Sequence, residues 1–317
     1  MENFRVAKFE FKIVAQDKLY LPEYKGSTFR GGFGNTLRKV VCITKNKECC
    51  TCLLKEKCIY SYIFETPPPK NTKILTKYPY APHPFVIEPP LETKKEYQPG
   101  DEITFNLVLI GRVIDYLPYF IFTFDKLGKI GVGKNKVKYR LKEVESNSYF
   151  SGDKHLIFRG EDKTLYNSYH IVTKKDIIKQ CEKYYSKRGI ALKFITPTRI
   201  KYQEHLIKGL EFHILIRNLL RRIAVLSYFH CDEEVKLDFA GLIERARRVK
   251  VKKSNLKWYD WDRYSTRQNT RMKMGGFIGD VSFKGDLKEF LPFVFLGQII
   301  HVGKGTSFGL GSYKIVQ

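Results

Sequence analysis

No window of the chain approaches the roughly 18 to 20 apolar residues that a membrane span requires. The amino-terminal stretch FRVAKFEFKIV has no long apolar core of the signal-peptide kind; Phe4, Val6, Phe9, Phe11 and Ile13 instead keep a strand-like rhythm with one slip. A soluble, cytoplasmic protein is therefore expected. Acidic residues are scarce as well: 33 Asp and Glu stand against 57 Lys and Arg, a formal net charge of +24. Lysine enrichment of the thermophile kind normally brings matching glutamate, which is missing. An excess of this size points to a polyanion, and to nucleic acid before an anionic membrane surface, because no basic amphipathic helix with a broad apolar face is evident. With 14% aromatic residues the chain is not globally disordered, and its 317 residues suffice for one large or two small domains.

Seven cysteines need explaining in a reducing compartment, and five of them fall within CITKNKECCTCLLKEKC, Cys42 to Cys58. Cys49-x2-Cys52 has a chelating spacing, and Cys42 and Cys58 flank it, so four thiolates could close a tetrahedral structural zinc site. Buried free thiols or disulfides are the alternatives. Four sulfurs leave no open position for water, so a catalytic metal is not expected. Cys181 and Cys231 read as small core residues.

The chain repeats itself. ITFNLVLIGRVIDYLPYFIFTFDKLGKIGVGKNKVKYRLKEV, Ile103 to Val144, and FIGDVSFKGDLKEFLPFVFLGQIIHVGKGTSFGLGSYKIV, Phe277 to Val316, each read as strand, glycine turn, helix with Leu-Pro-aromatic, glycine loop and closing strand. Each is preceded by a looser strand–helix match. The expected fold is α+β: two tandem ferredoxin-like (RRM-like) βαββαβ domains at 1–145 and 188–317, a cysteine knuckle at 42–58 inside the first, and a polar connector at 146–187.

The closing loop, His301 to Gly311, invites a nucleotide reading. A P-loop requires G-x-x-x-x-G-K-[ST] opening a helix, whereas Gly297 and Gly303 are one residue too far apart and the loop runs into the alternating strand SYKIV. An anion nest for a backbone phosphate stays open, formed by Gly303, Gly305, Gly309 and Gly311 with Lys304, Thr306 and Ser307 as side-chain donors. So does the plainer reading that the glycines permit a tight crossing. Upstream, ERARRVKVKKSNLK carries Arg245, Arg247, Arg248, Lys250, Lys252 and Lys253, either a solvated face or an RNA track. WYDWDRYSTRQNTRMKM then interleaves aromatics with Arg263, Arg267, Gln268 and Arg271, a pattern suited to single-stranded RNA. Trp258 and Trp261 could equally belong to a core.

FRGGFGNTLRKVVC, the cysteine stretch followed by YSYIFE, then PHPFVIEPP, and the tail from WYDWDRYSTRQ to HVGKGTSFGLG occur in one order. Together they resemble the CRISPR-associated RAMP endoribonucleases that process precursor crRNA, in the variety with a cysteine-rich insertion. The resemblance implies binding of CRISPR repeat RNA and one cut per repeat. It also implies a metal-independent reaction in which the 2′-hydroxyl attacks the adjacent phosphate, leaving a 2′,3′-cyclic phosphate. Such chemistry wants a base, an acid and cationic donors around the phosphorane. His301, at the end of a predicted helix, is the candidate acid, with a helix-capping or core histidine as the plainer alternative. Many relatives carry a histidine on or near the first helix, but this chain has none before His83, and Asn35 occupies that helix. Tyr20, Tyr24 or Lys39 then become candidate bases, with Arg30 and Arg38 as phosphate partners. A catalytically inactive crRNA-binding subunit of an effector complex is the alternative, and a zinc-knuckle DNA-binding protein a more distant one.

Overall fold

The computed structural model describes residues 1–44, 48–49, 51–69, 71–76, 78, 80–133, 135–265 and 270–316, with the backbone alone over 262–265 and 270–271. The chain divides into two compact units, Asn3–Val172 with Phe229–Asp232, and Met1–Glu2 with Thr173–Tyr228 and Glu233–Gln317.

The first unit runs β1 (Val6–Ala15), α1 (Gly26–Val41), β2 (Phe85–Glu88), β3 (Glu102–Ile110), α2 (Leu117–Ile130) and β4 (Tyr139–Asn147). Its strands lie in the antiparallel order β2-β3-β1-β4, the ferredoxin-like arrangement. Alternation along β1 sends Phe9, Phe11 and Ile13 into the core. They meet Phe29, Phe33 and Leu37, which recur every fourth residue on α1, and Phe120, Phe124 and Leu127 of α2. Phe33 stacks on Phe120 with ring centroids 4.9 Å apart. The other face of β1 carries Lys8, Glu10 and Lys12, each ion-paired, to Glu88 at 2.7 Å, to Lys154 at 2.7 Å and to Glu143.

The stretch 146–187 is divided rather than a separate connector. β5 (Lys154–Arg159) and β6 (Thr164–Leu165) extend the first sheet beyond β4, and Ile157 and Phe158 of β5 are both buried. α3 (Lys174–Glu182) belongs to the second unit. Thr173 and Asp176 form its capping box, and Ile177 and Cys181 face inward.

The second unit repeats the order with β7 (Gly189–Thr198), α4 (Phe212–His230), α5 (Phe239–Ala246), β8 (Lys250–Tyr259), β9 (Asp262–Ser265), β10 (Thr270–Lys273), β11 (Gly276–Lys284), α6 (Leu291–Ile300) and β12 (Tyr313–Val316). Its sheet order, β8-β11-β7-β12, is that of the first. β9 and β10 pair as a separate hairpin. Among the described residues no helix is long and apolar enough to cross a membrane.

Candidate functional site

In the second unit α6 runs out at His301, whose φ of +64° is unusual for a residue with a side chain. His301 is fully buried, and its Nδ1 donates to the Leu310 carbonyl at 3.0 Å. The residue expected as an acid therefore closes the base of the loop, with its ring shut away from any ligand. Arg222 completes that closure: Nε and Nη2 donate to the Ile300 carbonyl at 3.0 and 2.8 Å, and desolvation lowers its pKa to about 10.

The glycines serve the tight crossing. A Cβ on Gly311, at φ +74°, would run into the Val302 carbonyl oxygen, and one on Gly303, at φ +87°, would meet the Arg199 oxygen at 2.6 Å. The amides of Val302, Lys304, Phe308, Gly309 and Gly311 donate to carbonyls of the protein itself. Those five N–H groups are therefore not the anion nest, and the side chains of Thr306 and Ser307 are buried.

What faces outward is cationic. Lys304 is exposed; partial desolvation, then the charges of Lys201, Arg199 and Arg221, hold its ammonium below the usual range. Arg199 follows β7 and lends its carbonyl to the Lys304 amide at 2.8 Å. Its Nη1 lies 2.8 Å from Met274 Sδ, a weak acceptor, and its buried Nε has no partner among the described residues. Like charges are thus gathered around an under-satisfied guanidinium. Lys304 belonged to the expected set, but Arg199, Lys201 and Arg221 did not. The fragment TPTRI offered only one arginine after a strand.

The basic run resolves into two parts. Arg245 is occupied by Glu289, with Nε at 2.9 and 3.0 Å from its two carboxylate oxygens, and Arg247 by Glu244 at 3.2 Å. Arg248 is exposed. Lys250, Lys252, Lys253 and Lys257 project from β8, an exposed edge strand of the sheet. No ion pair to Lys252, Lys253 or Lys257 is found among the described residues. Arg263 and Arg271 stand on the paired strands β9 and β10. Arg267 and Gln268 lie outside the described residues. Trp258 and Trp261 are half-buried rather than core, and Trp258 donates to Asp260 at 2.8 Å.

In the first unit Arg30 projects from α1 onto a histidine 53 residues away. Its Nη2 donates to His83 Nε2 at 2.8 Å while the guanidinium covers the Phe64 ring at 4.4 Å. A guanidinium only donates, so Nε2 holds the lone pair and Nδ1 the proton. Nδ1 then donates to Thr66 Oγ1 at 3.2 Å, and that hydroxyl to the Ala81 carbonyl at 2.8 Å. The imidazole is stacked near Phe64 and Phe85 and is half-exposed, its tautomer and orientation both fixed. Reasoning from the sequence missed this pair, although PHPFVIEPP placed the histidine just ahead of a core strand.

The other expected residues of this unit are placed apart from that pair. Burial, with the charge of Glu88, pushes the Tyr24 phenol well up, so it keeps its proton and makes a poor base. Lys39 and Tyr20 are exposed. Arg38 lies over the Tyr60 ring at 5.9 Å and borders a cavity of about 200 Å³ lined by Cys42, Cys49, Cys52 and Cys58. The four thiols share that cavity, yet among the described residues no group of three or more ligating side chains is arranged to hold a metal ion. Burial raises the Cys49 pKa. The expected structural zinc is not supported by the described residues.

The fold is thus two tandem ferredoxin-like units with a glycine-rich loop before the last strand. Residues 4–170, more than half of the chain, match the AF_1859_N family model of an N-terminal domain, and residues 192–313 match that of the CRISPR-associated endoribonuclease Cas6. The chain belongs to the AF_1859_N family, and its residues 192–313 are similar to the Cas6 endoribonuclease. A protein of Archaeoglobus fulgidus described as uncharacterized is 25% identical over 305 residues, 93% of each chain. Among solved structures the fold is shared with a Cas6 product complex, at TM-score 0.59 and 14% identity over 98% of this chain and 100% of that one. It is shared with Thermus thermophilus Cas6, at TM-score 0.55 and 14% identity over 99% of each. A partial Cas6-RT-Cas1–Cas2 complex matches at TM-score 0.59 and 14% identity; it covers 99% of this chain, which spans only 46% of that longer one.

Proposed function

We propose that the protein binds CRISPR repeat RNA and cuts it once per repeat without a metal. The 2′-oxygen forms a bond to the adjacent phosphorus, the bond to the 5′-oxygen breaks, and the products carry a 2′,3′-cyclic phosphate and a 5′-hydroxyl. The match of residues 192–313 to the Cas6 model carries this reading. In the first unit His83 Nε2 takes the 2′-hydroxyl proton in place of the Arg30 hydrogen bond, and Arg30 turns its donors to the phosphorane oxygens. In the second unit Arg199, Lys201, Arg221 and Lys304 hold backbone phosphates, and the lysines of β8 extend that surface. The neighbouring structures named for Cas6 with RT-Cas1 and Cas2 make other CRISPR proteins the partner class to test.

The test is single-turnover cleavage of the cognate repeat RNA in EDTA. Wild type is expected to give a cyclic phosphate end, and a 2′-deoxy substrate to resist. His83→Ala is expected to cut on the order of 10²-fold more slowly with RNA affinity nearly unchanged. Uncut repeat RNA bound tightly by wild type would instead establish the non-cleaving subunit. That second reading is favoured by the absence of a histidine from α1 and the burial of His301.

A further inference from the structure

Next to the residues that hold His83, the first unit has a cavity of about 500 Å³, within the size range of small-ligand sites, and Thr66 and Ala81 line it. One wall is flat and apolar: Pro67, Pro68 and Pro69 with Ala81. The lining also carries two cations, Lys55 and Arg112, and one carboxylate, Glu56. The Arg112 guanidinium lies over the Tyr62 ring at 4.7 Å, and its ion pair with the exposed Asp232 is long, at 3.8 Å. Among the lining residues is Ser61, 2% exposed, whose buried Oγ has no hydrogen-bond partner among the described residues. A buried hydroxyl without a partner costs about 1–3 kcal/mol unless something fills that role.

The local backbone is unusual as well. Ser61–Glu65 form a π-helical turn, a rare conformation enriched at functional sites. The turn ends at Thr66 with φ +45°, a left-handed conformation that costs a β-branched residue. An inorganic anion would leave the proline wall dry, and an apolar ligand would strand Arg112 and Ser61. A planar ring joined to a phosphate satisfies both sides.

We propose that this cavity receives one unstacked nucleoside monophosphate unit, the base against the prolines and the phosphate on Arg112. The proposal rests on the RNA-binding reading for its preferred source, a nucleotide of the bound RNA; a free mononucleotide carries the same chemistry.

Two arms separate the sources. In the first, AMP and UMP are titrated against the full chain by calorimetry, for wild type and for Ser61→Val, Arg112→Gln and the plugging variant Ala81→Phe. In the second, a random-sequence RNA oligonucleotide bearing 4-thiouridine is photocrosslinked, and the adduct is mapped by mass spectrometry. A crosslink within 61–71, with RNA affinity falling about tenfold in Arg112→Gln, assigns the site to the RNA. Mononucleotide binding lost in all three variants, without such a crosslink, assigns it to a free nucleotide. Crosslinks only elsewhere, no mononucleotide binding, and unchanged RNA affinity in variants with wild-type melting curves overturn the proposal. Crosslinks only elsewhere leave the RNA-binding reading standing; RNA that does not bind at all, with AMP still bound, sinks that reading and keeps the cavity.

Discussion

The two ferredoxin-like units share a closure that their sequences barely announce. In the first, Gly128 of α2 lies against Tyr139 at the start of the closing strand, and the Tyr139 hydroxyl donates to the Phe124 carbonyl at 2.7 Å. In the second, Gly297 of α6 lies against Tyr313, whose hydroxyl donates to the Val294 carbonyl at 2.6 Å. Both tyrosines are buried. The duplication has kept a helix held to its last strand by a glycine and a tyrosine, and has let the charge diverge. On the first sheet Lys8, Lys12 and Glu10 are matched by opposite charges. In the second unit Lys304 sits among Lys201, Arg199 and Arg221, and an edge strand carries further exposed lysines. The fold is common property of the two halves, whereas the larger share of the positive charge lies on the second.

The largest effect expected from breaking this comparison is on stability. A Cβ at Gly128 would strike the Tyr139 backbone oxygen, which has little room to yield. One at Gly297 would meet the ends of the Leu219 and Tyr313 side chains, which have more. Gly128→Ala is expected to destabilise its unit by about 2–3 kcal/mol and Gly297→Ala by about 1 kcal/mol, after the helical preference for alanine is set against the overpacking. Calorimetric melts check this; equal losses would show that the two closures are mechanically alike.

The next effect is on RNA affinity, and it tests the asymmetry of charge. Arg199→Ala with Lys304→Ala is expected to weaken RNA binding about tenfold near 0.1 M salt. The dependence of log affinity on log salt should flatten by roughly 0.7 for each phosphate that the variant no longer neutralises. Lys8→Ala with Lys12→Ala in the first unit should change neither, since those charges are already answered by carboxylates. An equal weakening in the two double variants would remove the distinction between the halves.

The same contrast explains what was legible in the sequence. The Leu-Pro-aromatic helices and flanking alternating strands revealed both sheets, because periodicity and turn residues are local signals. The partition of 146–187 was not legible, since sheet extension by β5 and β6 depends on which edge is left uncovered. His301 looked reactive for its position at a helix end, yet burial depends on Arg222 and Leu310 arriving from elsewhere in the chain. Arg30 was legible as a cation on α1, but its partner His83 enters through a strand 53 residues later. Arg245 read as part of an RNA track because Glu289, which occupies it, lies 44 residues downstream. Residue type was recoverable; pairing required the fold.

The smallest expected effect is on the pH dependence of the two halves. In the second unit Cys181 is fully buried, and desolvation pushes its thiol from a usual value near 9 up to about 12. In the first, burial pushes the Tyr62 phenol from near 10 up to about 12. Each folded-state group holds its proton after the unfolded chain has lost it. The stabilisation is therefore complete below the unfolded value and disappears as pH rises through the folded one. Both units should begin to weaken near pH 9, the second through Cys181 and the first through Cys49, with Tyr62 adding to the first from near pH 10. Cys181→Ala costs some packing at every pH, but it should flatten the fall of the second unit's melting temperature between pH 9 and 12 while leaving the first unit's unchanged. A fall of the same slope with and without the thiol would assign the alkaline sensitivity to other groups, and the two halves would then differ in charge at neutral pH alone.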